Sequence, residues 1–317
     1  VRTMAAVGFH AYGGPDAVRL VEVPVPEPGP GEVRVRVRMT TVNPADVQYR
    51  RGDHAAFVPD ALPPFVGGLE LVGTVDAVGE GVDLLPGATV AGSSHFIPGG
   101  RGSHAELVVT GAGAVAPCPA GVDEVALATV PMNGLTARVV LDTLALPPGA
   151  TVVVTGAAGA VGGYVVELAS AAGLEVVAVA SSTDEELVVG LGATAFVPRG
   201  DDVAQEVRAR HPDGVDAVVD AAMLDAAALP MVRDGGRLLT LRPGHVPPPE
   251  RGIEPRLVSF RRYQDRPDVL ADLLALSASG GLTTRVAEVL TPHRGAEAHA
   301  LAETPGLRGR VVLAFDA

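Results

Sequence analysis

Apolar and polar positions fall into two regimes along this chain. From Met4 to about Pro119, short apolar runs are broken by Gly and Pro, and Glu32-Val-Arg-Val-Arg-Val-Arg38 alternates strictly, the pattern of a half-exposed strand. This part predicts an irregular β domain. From about Glu124 to Leu241, strand and helix periods take turns. Continuously β-branched Val152 to Val154 fit a strand covered on both faces, and a helical pattern starts near Tyr164. Glu175 to Ala180, a helix near Glu185 to Leu191, Ala195 to Val197, Val203 to Arg210, Asp216 to Asp220 and Gly236 to Leu241 continue the series. That order predicts a parallel sheet with helices on both faces. Val246-Pro-Pro-Pro249 cannot lie in a central strand or helix, because proline fixes φ and lacks the donor. Beyond it, Asp268 to Ser279 predicts an amphipathic helix and Gly309 to Phe315 a closing strand.

The junction Thr151-Val-Val-Val-Thr-Gly156-Ala-Ala-Gly159-Ala-Val-Gly162-Gly163 reads strand, glycine turn, helix. Small residues let the backbone turn sharply, approach a pyrophosphate, and aim helix N–H groups at its charge. Gly156, Ala158, Gly159, Ala160, Val161 and Gly162 are therefore the expected dinucleotide seat. Counted as Ala157-x-Gly159-x-x-Gly162, the pattern has alanine for its first glycine, with both closest-approach positions intact. A plain tight turn between strand and helix is the structural alternative.

Length and charge narrow the class. The 317 residues suffice for two domains with proper cores. Residues of hydrophobic type make up 47%, yet no run has the length of a membrane span and no basic-then-apolar leader opens the chain, so a cytoplasmic protein is expected. A single cysteine, Cys118, excludes an intramolecular disulfide and any multi-cysteine metal site. The net charge of −13 argues against nucleic acid. All 24 basic residues are arginines, which removes Schiff-base chemistry and a P-loop lysine.

Several further motifs lie in a telling order: Val42-Asn-Pro-Ala-Asp-Val47, Pro64 to Gly79, the glycine turn, Gly190-Leu-Gly-Ala193, Gly235-Gly-Arg237, Glu297-Ala-His299 and Arg308 to Leu313. Through them the whole chain resembles the medium-chain dehydrogenase/reductase superfamily, in its zinc-independent, quinone oxidoreductase-like branch. The resemblance implies an α/β fold: a Rossmann-type doubly wound parallel sheet over 124–258, and a GroES-like irregular β-barrel catalytic domain from 1–123 and 259–317. Zinc-dependent members carry a cysteine near the present Asn43, a Gly-His-Glu and a four-cysteine lobe. Here the stretches read Asn43-Pro-Ala-Asp46 and Gly68-Leu69-Glu70, and the lobe is missing. Catalytic zinc wants three protein ligands. His54, His95 and His104 show no close ligand spacing, so no metal is expected. Without that Lewis acid, the implied chemistry is hydride delivery to an activated double bond or quinone.

NADPH is expected over NADH. An NAD enzyme usually ends its second strand in Asp or Glu, whereas Ala180-Ser181-Ser182 leaves room and donors for a 2′-phosphate. The family's phosphate-binding lysine falls near Asp184, which with Glu185 and Glu186 also suits a helix first turn. Arg199, after the third strand, offers a guanidinium fork in its place, or is an ordinary solvated arginine. By resemblance, Asn43 and Asp46 match a cofactor-binding Asn-Pro-x-Asp whose asparagine lies near the nicotinamide ribose, Thr136 approaches the nicotinamide, and backbone from Leu241 to Gly244 can hold the carboxamide. Relatives have tyrosines lining the acceptor cleft where this chain has Gln48 and His54, with Tyr49 shifted by one; Tyr49 and His54 are the candidate proton donors. A flat quinone would need a wall from Tyr49, Phe57, Phe65 or Phe96. The expected function is transfer of hydride from NADPH to a quinone or to the β-carbon of an α,β-unsaturated carbonyl, a small electrophilic acceptor. An enoyl reductase acting on an acyl thioester, and a non-catalytic NADPH-binding sensor or structural protein, are the alternatives. Relatives also imply a homodimer.

Overall fold

The structure, a computed structural model, describes residues 2–94 and 101–315. It divides into a first unit of residues 1–132, 264–279 and 284–317 and a second of 133–263 and 280–283.

In the first unit, β1 (Thr3–Phe9) and β2 (Arg19–Pro24) pair antiparallel. The alternating Arg/Val run forms β3 (Glu32–Val42), followed by helix α1 (Pro44–Arg51). Next come β4 (Phe65–Val66), which joins β1, then β5 (Glu70–Val78), β6 (Thr89–Ser93), β7 (Leu107–Gly111) and β8 (Val115–Pro117). Strand β3 is the spine, antiparallel to both β5 and β7. Val33, Val35 and Val37 are buried along its inner face, while Arg34 and Arg36 share Asp76 at 2.7 and 2.8 Å on the other. Each buried valine contributes roughly 1.5–3 kcal/mol. The Arg34–Asp76 pair is itself largely covered, with side chains 12% and 19% exposed, and it closes the other face of the strand.

Short helix α2 (Glu124–Leu127) and helix α3 (Pro131–Leu144) lead to the second unit's sheet. It is built from β9 (Thr151–Thr155), α4 (Ala160–Ala171), β10 (Glu175–Ala180), α5 (Glu185–Gly190), β11 (Ala195–Pro198), α6 (Val203–Arg210), β12 (Val215–Asp220), β13 (Val232–Thr240) and β14 (Arg256–Leu257). All its pairings are parallel, in the order β11-β10-β9-β12-β13-β14. Val152, Val153 and Val154 have no exposed surface, as a strand covered on both faces requires. Because β9 pairs with β10 on one side and β12 on the other, the winding reverses there. That reversal opens a crevice at the carboxyl ends of the strands, where ligands of such sheets bind. The chain then returns to the first unit through α7 (Pro267–Ala278), β15 (Val286–Leu290), α8 (Gly295–Ala302) and β16 (Arg310–Ala314), the last antiparallel to β3. The expected fold class is the one adopted.

The units part at 132/133 and 263/264, where the sequence places 123/124 and 258/259. Side-chain bonds explain the shifts. Asp123 caps α2 through the Val125 N–H at 3.0 Å and Glu124 pairs with Arg38, which keeps α2 with the first unit. Arg262 reaches Thr143 at 3.1 Å and Tyr263 reaches Asp142 at 2.8 Å, which keeps 260–263 with the second. Glu167 accepts the Thr283 N–H at 2.9 Å and adds 280–283 to it. Among the described residues, no helix is long and apolar enough to cross a membrane.

Candidate cofactor and active site

The glycine turn is built by steric exclusion. Gly156 sits at φ 62°, in the left-handed region, directly after β9. A Cβ on Gly162 would lie 2.2 Å from the Gly156 carbonyl oxygen, so only glycine fits there. The turn's first glycine is thus Gly156, which corrects the count that began at Ala157. Gly159 caps α4 with its backbone alone and donates its N–H to the Gly156 oxygen at 2.9 Å. In the first turn of α4, the N–H groups of Ala160, Val161 and Gly162 have no carbonyl within the helix to bond. With the positive end of the helix dipole they suit a pyrophosphate, and the residues present fit a dinucleotide.

A carboxylate braces this crevice. Asp220, at the end of β12 and 2% exposed, accepts the Thr155 hydroxyl at 2.7 Å and the N–H groups of Ala222 and Asp225 at 3.3 and 2.9 Å. It ties the carboxyl ends of β9 and β12 together. The sequence marks Asp220 only as a strand terminus; an acid closing a Val-Val run was the available signal. Beyond it, Asp225 faces His245, whose Nδ1 lies 2.9 and 2.8 Å from the two carboxylate oxygens. Neither residue stood out in the sequence, because twenty positions and the whole of β13 separate them.

On the opposite side of the crevice, β10 ends at Ala180, and half-buried Ser181 leads into exposed Ser182. The Arg199 N–H donates to the Ala180 oxygen at 2.7 Å, which sets this exposed arginine beside the serines. Asp184 is 7% exposed and donates its N–H to the Ser181 oxygen at 2.8 Å, closing the turn after the serines. Thr136, in the second turn of α3, is 8% exposed, and Leu241 follows directly on β13.

The first unit holds a buried polar cluster around Glu70. Its carboxylate accepts from Thr41, from Asn43 Nδ2 at 3.0 Å and from the Met132 N–H at 2.9 Å. Burial pushes its carboxyl above the ordinary range, opposed by those hydrogen bonds and by the charge of Arg310. Asn43 is thereby locked in orientation. Asp46 departs from its expected cofactor role: 1% exposed, it spends one oxygen on the Asn43 N–H at 2.8 Å and the other on the Gly68 N–H at 2.7 Å. It positions the loop instead.

Tyr49 also departs from expectation. Its side chain has no exposed surface, and its ring packs among Phe9, Tyr12 and Phe65 at centroid distances of 5.4, 6.5 and 6.1 Å. Burial, then the neighbouring Tyr12, push its hydroxyl far above the ordinary phenol value. Such a group is a core residue, not a proton donor near neutral pH. Phe65 belongs to the same cluster, whereas Phe57 is 57% exposed; Phe96 lies outside the described residues. His54 is half-buried at the foot of a short 3-10 turn, with its ring 6.0 Å from that of Phe57. His104 and His299 are buried edge to face, 5.8 Å apart. Burial first, then His104 and Arg50, hold His299 well below the ordinary imidazole value.

Among the described residues, no group of three or more His, Cys, Asp or Glu side chains is arranged to hold a metal; His95 lies outside them. The residues at the zinc-ligand positions do not fit zinc either, since Leu69 has no donor and the Glu70 oxygens are taken by protein groups.

Comparison with known proteins agrees with this architecture. The alcohol dehydrogenase GroES-like domain family matches residues 29–126, and the zinc-binding dehydrogenase family matches 160–245. The chain is 30% identical over 257 residues to a chloroplast envelope quinone oxidoreductase homolog of Arabidopsis thaliana, covering 77% of this chain and 76% of that one. Over 328 residues it is 30% identical to the chloroplastic NADPH-dependent alkenal/one oxidoreductase of the same plant, covering 98% and 80%. The chain belongs to the quinone oxidoreductase-like medium-chain dehydrogenase/reductases. This medium-chain fold also superposes on a solved NAD-dependent alcohol dehydrogenase with a TM-score of 0.83, 31% identity and coverage of 98% and 99%.

Proposed function

We propose that this medium-chain reductase takes hydride from NADPH and delivers it to a quinone or to the β-carbon of an α,β-unsaturated carbonyl, without a catalytic metal. The observation that carries the cofactor preference is the end of β10: Ser181 and Ser182 stand where an acid would select NADH, and Arg199 is fixed beside them by its own backbone bond to Ala180. The NADPH-dependent relative supports the same choice.

In this reading each residue has a part. Ala160, Val161 and Gly162 present N–H groups to the pyrophosphate, Ser181, Ser182 and Arg199 take the 2′-phosphate, and backbone after β13 from Leu241 takes the carboxamide. Glu70 and Asp46 keep the Asn43 loop in shape. When bound, the cofactor supplies a hydride. The acceptor's own conjugation spreads the charge that develops, which is why no Lewis acid is required. Exposed edge strand β14 supports pairing of two copies through the six-stranded sheet, which sedimentation would test.

The deciding experiment is fluorescence titration with NADPH and NADH, followed by loss of reduced nicotinamide over a panel of quinones, enones and an acyl thioester. Tighter NADPH binding and turnover of enones or quinones are expected. Preference for NADH, or binding without turnover of any acceptor, overturns the proposal.

A further inference from the structure

The Asp225–His245 pair is built at an energetic cost that its own stability does not repay. Met223 and Asp225 take φ 60° and 55°, left-handed conformations that are strained for non-glycine residues. The pair they bring together is solvent-facing, with side chains 41% and 34% exposed, and a pair of that kind adds little stability. What enforces the strain is Asp220, buried and triply bonded, which grips the Asp225 N–H at 2.9 Å. The opposite wall is the turn after β13, closed by the His245 N–H on the Arg242 oxygen at 3.3 Å.

The placement suits catalysis. Gly156 abuts this segment: a Cβ there would meet the Ala221 carbonyl at 3.2 Å. A dinucleotide held with its pyrophosphate on the glycine turn and its adenosine toward β10 would reach β12 and β13 with its nicotinamide end. Those are the two strands whose carboxyl ends carry Asp225 and His245. A carboxylate on Nδ1 fixes the imidazole's orientation and tautomer, leaving Nε2 for proton transfer.

We infer that His245, oriented by Asp225, is the proton donor of the reduction. The inference rests on the enone-reductase reading above. Hydride from the nicotinamide forms the new C–H bond at the β-carbon, and the C=C electron pair takes a proton at the α-carbon. That proton leaves His245 Nε2 as imidazolium becomes imidazole, which regains one from water. Arg242 is the other charged group on this turn, and Asp225 is the orienting residue.

Wild type, His245→Gln and Asp225→Asn would be titrated with NADPH and assayed on 3-methyl-3-penten-2-one, with the configuration at the new α-carbon measured promptly. For His245→Gln we expect NADPH affinity within about twofold of wild type, kcat lower by roughly 10²–10⁴, and a product close to racemic at the α-carbon. Asp225→Asn should lose about 10–100-fold in kcat with NADPH affinity within about twofold of wild type, and Asp225→Glu, which keeps the carboxylate, should retain more of the rate. A His245→Gln enzyme with kcat within twofold of wild type, or with unchanged α-carbon configuration, overturns the inference alone. Wild type that binds NADPH but reduces neither enones nor quinones overturns the functional reading, and this inference with it; wild type that reduces quinones but no enone overturns the inference alone.

Discussion

Replacing Gly162 by alanine tests whether the glycine cradle is a cofactor seat or only a turn. The added Cβ would lie 2.2 Å from the Gly156 oxygen and 2.8 Å from its carbonyl carbon, where real contacts essentially never fall under 3.0 Å. Turn and helix must therefore separate by about 0.8 Å. Overpacking of this kind costs about 1–3 kcal/mol, and alanine's helix preference over glycine returns up to about 1 kcal/mol, so a net loss of about 0–3 kcal/mol is expected. Binding should suffer more than folding. A displacement near 1 Å takes N–H to phosphate bonds out of their roughly 2.7–3.2 Å range, and one lost bond to a charged group is about 1.5–3 kcal/mol, or roughly 10–100-fold in NADPH affinity. Gly190→Ala is the matched control: this exposed helical glycine has nothing within 4 Å of its would-be Cβ. It should gain about 0.4–1 kcal/mol and leave NADPH binding alone. Thermal unfolding and NADPH fluorescence titration read both quantities. Gly162→Ala binding NADPH within twofold of wild type would refute the cradle.

Three further outcomes follow from side chains in place. Arg199→Ala should weaken NADPH by about tenfold, near 1.4 kcal/mol, and NADH by less than twofold; equal loss for both in the same titration removes the phosphate role. Because burial holds His299 well below the ordinary value, the unfolded chain takes up that proton first as pH falls below about 6.5, so the folded state loses up to about 1.4 kcal/mol per pH unit there. Above that window both states are neutral and the residue has no pH effect; His299→Asn should flatten the slope in urea melts between pH 7 and 5, and parallel slopes would refute it. Glu70→Gln turns an N–H₂ toward Asn43 or the Met132 N–H, both donors, and should cost about 1–3 kcal/mol in the same melts; an unchanged midpoint would show that Glu70 is not held as an acceptor.

What could be read from the sequence was what is local. Val152 to Val154, the glycines behind them and the serines ending β10 each owe their conformation to neighbours within a few residues, so period and side-chain size expose them. Even there, choosing Gly156 over Ala157 as the first turn glycine needed the φ value. Tyr49 shows the limit. Nothing nearby in sequence says that Phe9, Tyr12 and Phe65 close over its ring, since they come from other segments of the fold. Asp46 likewise matched a cofactor motif, yet its carboxylate is consumed by a backbone N–H twenty-two positions away.

The same distinction separates the two halves of the reaction. A cofactor is a fixed chemical shape, and one strand–turn–helix can carry the backbone that meets it, so its seat is written in one short stretch of chain. Proton delivery has no such fixed partner. It needs one titratable group held over the reacting carbon, which any strand end can supply if a second residue orients it. In this chain the oriented group found at the carboxyl end of the sheet is His245, and its support runs through Asp225 to the backbone grip of Asp220 and so to Thr155 on β9. The strand that carries the glycine turn thereby also anchors the proposed proton donor. A substitution that frees Asp220 should accordingly disturb both cofactor affinity and α-carbon stereochemistry, whereas one at His245 should disturb only the second. Asp220→Ala beside His245→Gln separates the two: a loss of stereochemistry in the latter alone would break the connection.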